Sequence, residues 1–488
     1  VSADRRVDVE GVSVSALHYI DGERVDSPGT FEVRSPLDWS WLLADVARGT
    51  ALEADLAISA AARAFPAWAA RTPEERGRLL DRLAELVDAH VEPIAHVECR
   101  DMAMLQESLR ERVIPRGARN FHAYAALARE YEPRRWSSLG TANAVLRQPA
   151  GPTVVITPWN APFMLSTWKC APALAAGNTV VLKPAEWSPL SCSLLMDLVD
   201  EAGFPPGVFN LVQGVGEEVG AALVRDPRVR RISFTGSPAT GRFIGAQAAA
   251  NLVPFTAELG GKGPFIVFED ADVEAAAAKA AVMYDDAGQV CLAGTRLLVA
   301  SGIFNEFLAR LRVQVERHVL GDSRQRGTTI SPLIHPEHLA RVNGFVERAR
   351  RSGDEVLFGG GPLEDGLYFE PTLVAPRSNE SEIVQREVFG PVLTIQRFST
   401  EAEAIELANS TAYGLSAVVY TSDEARAQRV GRAVRAGTVW VNTFLVRDLT
   451  APFGGIGISG VGREGGDYAL DFYSDLQTLQ IKEGTTRG

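Results

Sequence analysis

Two hydrophobic rhythms divide the chain. Over residues 52–130 apolar positions recur at helical spacing in a stretch rich in Ala, Leu, Arg and Glu. Within it, Thr72-Pro73-Glu74-Glu75 predicts a helix start: a hydroxyl cap, a proline in the first turn and acids facing the helix dipole. Amphipathic helices covering a sheet are the economical interpretation. Between Thr153 and Ala250 the pattern changes to short β-prone runs at 153–157, 179–183, 208–212 and 231–235, each followed by a turn and a helical stretch. The second of those helices starts at Ser188-Pro189 and stops at Gly203. Repeated strand–helix units predict a doubly wound parallel sheet. In such sheets ligands bind beyond the carboxyl ends of the strands. Trp159-Asn160, Lys183 to Glu186, Gly214-Val215-Gly216 and Gly236-Ser237 all fall there. The alternation resumes after Pro264, with strands expected at 265–268, 296–299 and 438–442, and predicts a second α/β domain. Residues 131–149 read as a projecting hairpin, and 476–482 as a strand that pairs outside its own domain.

Composition narrows the setting. At 488 residues, 46% hydrophobic and 23% charged, the chain has room for two or three domains around large cores. Its net charge of -12 argues against nucleic acid and anionic membrane, both of which call for a basic footprint. The four cysteines, Cys99, Cys170, Cys192 and Cys291, are too few and too scattered for a disulfide framework. None has metal-like spacing with another cysteine or a histidine, so no metal is expected. The segment Val1 to Arg6 leads into polar sequence without the apolar core of a signal peptide, and no apolar run approaches a membrane span. A reducing, cytoplasmic setting is expected.

Three groups suggest chemistry. Gly288-Gln289-Val290-Cys291 carries a thiol, Glu258-Leu259-Gly260-Gly261-Lys262 a carboxylate, and Pro158-Trp159-Asn160 an amide donor. A lone cysteine is most often a small buried apolar residue. With a carboxylate and an amide in companion motifs, it suits acyl chemistry through a thioester. Gly455-Ile456-Gly457-Ile458-Ser459-Gly460 fits a dinucleotide glycine pattern literally, but no helical run follows it, and it reads as a loop. In Gly214-Val215-Gly216 the third glycine comes one place late, at Gly220. Phe234-Thr235-Gly236-Ser237 is the better candidate, a strand end whose hydroxyl caps a helix able to face a pyrophosphate. An ordinary βα turn would read the same. Glu186, just past a strand, suits ribose hydroxyls, with Lys183 beside it.

Taken together, these segments resemble the aldehyde dehydrogenase superfamily nearly end to end. Its signatures stand here as Pro158-Trp159-Asn160, Lys183-Pro184-Ala185-Glu186, Phe234-Thr235-Gly236-Ser237, Glu258 to Lys262, Gly288 to Cys291, Glu387-Val388-Phe389-Gly390-Pro391 and Pro452-Phe453-Gly454-Gly455. The resemblance implies an α/β subunit: a Rossmann-like NAD-binding domain (1–130 and 150–257), an α/β catalytic domain (258–455) and a small β oligomerisation arm (131–149 and 470–488), assembled as a homodimer or homotetramer. It implies Cys291 as nucleophile, Glu258 as general base and Asn160 as oxyanion donor with the Cys291 backbone N–H. Cofactor contacts would come from Trp159, Lys183, Glu186, Gly236, Ser237, Glu387 and Phe389, with NAD preferred and NADP the alternative. Asp286 stands where the family usually has Asn.

A narrower resemblance, to the muconic semialdehyde dehydrogenase branch, rests on residues 114–121 and on Arg447-Asp448-Leu449. It implies that Arg447 and Arg116, with Trp168, face a substrate carboxylate. Arg119 belongs to the same motif, and a surface role for Arg116 and Arg119 stands beside the substrate role. Thr450 replaces a second arginine often found in that branch, and Ala161 a larger residue. The alternatives are a dehydrogenase of broad, neutral or betaine-like aldehydes, a CoA-acylating enzyme, or a non-catalytic binding protein.

Overall fold

The computed structural model describes residues 5–483. Its first sheet has eight strands in the order Gly460–Val461, Phe255–Glu258, Arg231–Thr235, Thr153–Ile156, Val180–Lys183, Phe209–Leu211, His18–Ile20, Glu23–Val25. The five central strands run parallel, Gly460–Val461 and His18–Ile20 flank them antiparallel, and Glu23–Val25 pairs antiparallel with His18–Ile20. All four strands expected between 153 and 235 form. They are buried on both faces, so their Val, Ile and Leu runs need no polar alternation. From Thr153–Ile156 the chain winds outward through Val180–Lys183 and Phe209–Leu211, then returns to the opposite side with Arg231–Thr235. This reversal opens a crevice between the carboxyl ends of Thr153–Ile156 and Arg231–Thr235.

The helices Pro73–Ala89, Ile114–Glu130, Pro162–Ala175 and Leu190–Glu201 share one core on this sheet. Ala51–Ala69, Ala221–Arg225 and Pro238–Ala250 share the other. The helix start read at Thr72 is a full capping box, with Thr72 accepting from the Glu75 N–H while Glu75 reaches back. Helix Leu190–Glu201 lies between the predicted signals.

The second sheet orders Glu355–Phe358, Thr372–Ala375, Val392–Phe398, Arg296–Ala300, Pro264–Val267, Ser416–Tyr420, Thr438–Val441, all parallel except the first. Arg135–Ser138, Thr141–Pro149 and Ser474–Lys482 make a separate antiparallel sheet, so the expected hairpin pairs with the expected C-terminal strand. Residues 1–4 and 484–488, parts of the expected cofactor domain and arm, lie outside the described residues. Sequence 455–460 is a loop with one 3-10 turn, as read, but Gly460–Val461 then adds an edge strand to the first sheet beside Glu258. Among the described residues no helix is long and apolar enough to cross a membrane, and no cluster of His, Cys, Asp and Glu could hold a metal.

Candidate active site

The crevice continues into a cavity of about 310 Å³. Trp159 and Asn160 follow strand Thr153–Ile156, and Gly236 and Ser237 follow Arg231–Thr235; all four line it. Cys291, Glu387, Phe389, His338 and Arg341 approach from the second sheet's side. The cavity thus joins a dinucleotide-type crevice to a thiol.

Gly260 and Gly261 make this junction possible by close approach. A Cβ at Gly260 would stand 2.1 Å from a Glu387 carboxylate oxygen, and one at Gly261 2.2 Å from the Cys291 carbonyl. The Gly261 N–H donates to Glu387 Oε1 at 2.8 Å. Cys291 follows a turn in which Asp286, Ala287 and Gly288 all have φ near 50–66°. Asn and Asp tolerate that left-handed backbone best among residues with a side chain, which accounts for Asp286 at a position usually Asn. Burial raises the Asp286 carboxyl, with Arg112 and the Leu105 N–H opposing. Asn160 Nδ2 donates to the Gln289 carbonyl at 2.9 Å, using one of its two amide hydrogens.

The Cys291 thiol is half-buried and pushed up to about 12 by desolvation, then by Glu387 and Glu258, with Arg447 opposing. Glu258 ends its strand at 5% exposure, and neither carboxylate oxygen has a hydrogen-bond partner. Burial and the neighbouring Glu464 hold it well above the usual carboxylate range, against Lys169, Arg447 and Arg463. Burial thus favours the neutral form of both groups. A buried carboxyl without partners is costly unless protonated, and it stands ready to accept from a water or substrate placed beside it.

Beyond the thiol, three separate segments meet. Arg116 of helix Ile114–Glu130 and Arg447 of the loop after strand Thr438–Val441 each lie 5.5 Å from the Trp168 ring centroid, and Arg447 also packs 3.6 Å from that of Phe453. Among the described residues neither arginine has an ion-pair partner. Asp448, next to Arg447 in sequence, accepts from the Thr450 N–H and hydroxyl at 2.9 and 2.8 Å, and the acids whose charge acts on Arg447 are Glu258 and Glu464. Arg116 Nε donates to Asn120 at 3.1 Å, and Asn120 is itself held by Thr167. Burial lowers the Arg116 guanidinium to about 10, with Arg447 adding repulsion. Arg119 of the same motif is exposed and stands apart.

Two groups here have no counterpart in the sequence reading. Trp168 Nε1 donates to Glu464 Oε2 at 2.7 Å, and fully buried Lys169 pairs with the other oxygen of Glu464. Lys169 in the apolar run of helix Pro162–Ala175 was the one visible signal; Glu464 had none. Lys183 ends the adjoining strand and Glu186 follows it; both lie outside the cavity lining, joined by a 2.8 Å ion pair. Ser237 caps helix Pro238–Ala250 by accepting from the Thr240 N–H at 3.1 Å.

Residues 24–479 match the Aldehyde dehydrogenase family. This chain belongs to it. Among its relatives, 2-aminomuconic semialdehyde dehydrogenase of Danio rerio is 39% identical over 441 residues, 88% of this chain and 91% of that protein. The 2-hydroxymuconic semialdehyde dehydrogenase of Pseudomonas sp. (strain CF600) is 38% identical over 481 residues, 95% and 99% of the two chains. The structure of betaine aldehyde dehydrogenase from Staphylococcus aureus in complex with NAD+ superposes with a TM-score of 0.94 at 36% identity, covering 97% of this chain and 96% of that one. This aldehyde dehydrogenase is an NAD-dependent oxidoreductase acting on aldehydes. Its cavity fits that cofactor: a helix N-terminus at Ser237 suits a pyrophosphate, and the Glu387 carboxylate suits ribose hydroxyls.

Proposed function

We propose that this aldehyde dehydrogenase oxidises a semialdehyde whose other end carries an anionic group, with Arg447 and Arg116 holding that group over Trp168. The observation that carries this reading is the pair of half-buried arginines over Trp168 without ion-pair partners, of which Arg447 acts electrostatically on Cys291. Two such cations repel, and each lacks a carboxylate that a guanidinium fork is shaped to bind. A betaine aldehyde is a cation and would add to that repulsion. The muconic relatives favour the same reading.

Cys291 is the nucleophile. Its thiol proton passes to solvent, the sulfur bonds to the aldehyde carbon as the carbonyl π bond breaks, and the resulting oxyanion accepts hydrogen bonds from the free amide N–H of Asn160 and the Cys291 backbone N–H. Bound NAD supplies the hydride acceptor, held through Ser237, Gly236, Trp159, Glu387 and Phe389, with Lys183 and Glu186 at the adenosine ribose. Once the carbon has lost hydride, the sulfur carries a thioester. Glu258, deprotonated for this step, takes a proton from water; the hydroxide adds to the thioester carbon, the C–S bond breaks and the carboxylic acid leaves. Arg447 favours the charged forms of both Cys291 and Glu258. A hydrolytic base at Glu258 is needless for CoA acylation, which disfavours that alternative.

The subunit is read as a cofactor unit (1–130 and 150–257), a catalytic unit (258–455) and an oligomerisation arm (131–149 and 470–488). Exposed Leu476, Leu479 and Ile481 on the arm's strand support its pairing with a second copy. Light scattering would distinguish dimer, tetramer and monomer, the last contradicting the arm. Turnover of an aldehyde panel with NAD, with and without CoA, tests the activity. Carboxylated semialdehydes should lead the panel without CoA, and a flat profile would contradict the substrate reading.

A further inference from the structure

Helix Pro336–Ser352 carries none of the expected site residues, yet it ties down the segment that bears Glu387 and Phe389. His338 and Arg341 are three residues apart and so share one helix face. Arg341 Nη2 donates to the Glu387 carbonyl at 2.8 Å and its Nη1 to the Val388 carbonyl. His338 Nε2 donates to the Phe389 carbonyl at 2.7 Å. Three consecutive carbonyls are thus fastened to a single turn of helix.

There is strain for this clamp to hold. Phe389 has φ 62°, a left-handed backbone that an aromatic residue adopts only when its surroundings impose it. The side chains of the segment serve the cavity. Glu387 accepts the Gly261 N–H, and the Phe389 ring stands edge-on to Trp159 with centroids 5.3 Å apart. His338 packs edge-on to the same indole, also at 5.3 Å. Burial lowers the His338 imidazole to about 4, the Phe389 carbonyl opposing, so it is neutral and spends its one N–H on that carbonyl.

The packing leaves little slack. A Cβ at Gly390 would lie 2.7 Å from Val342 Cγ2, and one at Gly288 2.3 Å from the Gly390 carbonyl oxygen. The Ile334 N–H donates to Gln289 Oε1 at 3.0 Å. The stretch 334–342 therefore anchors both the cofactor-facing segment and the turn that leads to Cys291.

We propose that His338 and Arg341 are positioning residues for the nicotinamide end of the cofactor pocket: by holding the carbonyls of Glu387, Val388 and Phe389 they set where the Glu387 carboxylate and the Phe389 ring stand. The inference rests on the reading, given above, that Glu387 and Phe389 face the nicotinamide ribose and ring. A glutamine at 338 can still donate to the Phe389 carbonyl. A lysine at 341 keeps the charge but not the fork that spans two carbonyls.

The test uses full-length His338→Ala, His338→Gln, Arg341→Ala, Arg341→Lys and Glu387→Gln. Four quantities are read: KM for NAD, KM for the aldehyde, the isotope effect on kcat with aldehyde deuterated at C1, and the alkylation rate of Cys291 without NAD. Both alanine variants should raise KM for NAD by about tenfold or more and enlarge the isotope effect, with aldehyde KM and alkylation within about threefold of the parent. His338→Gln should recover most of the loss, and Arg341→Lys part of it. If Glu387→Gln raises KM for NAD but both alanine variants leave it within about twofold, the clamp is wrong and the pocket reading stands. If Glu387→Gln leaves it unchanged, the pocket reading falls and takes the clamp with it. Equal losses in all four quantities would reduce the helix to a general structural support and overturn the proposal.

Discussion

The two sides of Cys291 are built in opposite ways. On the cofactor side several polar groups are paired, Glu387 with the Gly261 N–H, Lys183 with Glu186 and Ser237 with its own helix, while Thr235 Oγ1 and the buried Lys262 Nζ are not. On the aldehyde side the decisive groups lack partners: Glu258 has no hydrogen bond, and Arg116 and Arg447 no ion pair. A paired pocket is ready for one constant ligand. An unpaired one is completed by whatever satisfies it, so the unpaired groups describe the missing molecule. Here that molecule brings a water or carbonyl to Glu258 and negative charge to the arginines.

The largest effect should fall on the boundary itself. Cys291→Ala should lower NADH formation by at least about a thousandfold while leaving NAD binding, followed by fluorescence titration, nearly intact. Retained turnover would remove the nucleophile and the boundary with it. Glu258→Gln should split the two half-reactions: a burst of NADH close to one per site, then slow steady turnover as the thioester waits for water. A burst-free, uniformly slow variant would place Glu258 in the first half-reaction instead.

Titration sharpens the same contrast. The thiol is raised to about 12 chiefly by burial, so iodoacetamide alkylation without NAD should keep climbing through pH 10 rather than level off in the ordinary thiol range. Glu258 raises the thiol, so Glu258→Gln should move that profile to lower pH. A plateau below pH 9 in the parent would show that the thiolate is already stabilised. The smallest effect belongs to the outer end of the cofactor side. Glu186 should disfavour a 2′-phosphate, but its ion pair with Lys183 blunts the repulsion, so the kcat/KM preference for NAD over NADP should be about ten- to a hundredfold. Equal values for the two cofactors would remove Glu186 from the ribose.

The same division governs what could be read from the chain. Trp159, Asn160, Gly236 and Ser237 follow strand ends, and strand ends are legible from hydrophobic runs, so local pattern brought these four together, whereas Glu387 and Phe389 came from motif resemblance. The aldehyde side is drawn from residues 116, 168, 447 and 464, which no periodicity links. Motif resemblance reached Arg116, Trp168 and Arg447; Glu464, with only glycines and Arg463 around it, was out of reach. His338 and Arg341 were hidden for another reason. They act through carbonyl oxygens of another segment, and backbone acceptors leave no mark in a sequence. The edge strand Gly460–Val461 was missed because two residues in a glycine-rich stretch carry no β pattern.

The central claim is that the unpaired arginines select an anionic aldehyde, and the specificity ratio tests it most directly. It is kcat/KM for a semialdehyde bearing a carboxylate divided by kcat/KM for a neutral aldehyde of similar length, in the parent and in Arg447→Ala. Losing Arg447 also raises the thiol and Glu258, but that penalty falls on both aldehydes and cancels in the ratio. Removing a desolvated charge-assisted contact costs roughly 2–5 kcal/mol, so the ratio should fall by at least about thirtyfold. An unchanged ratio, with both aldehydes slowed equally, would contradict the account.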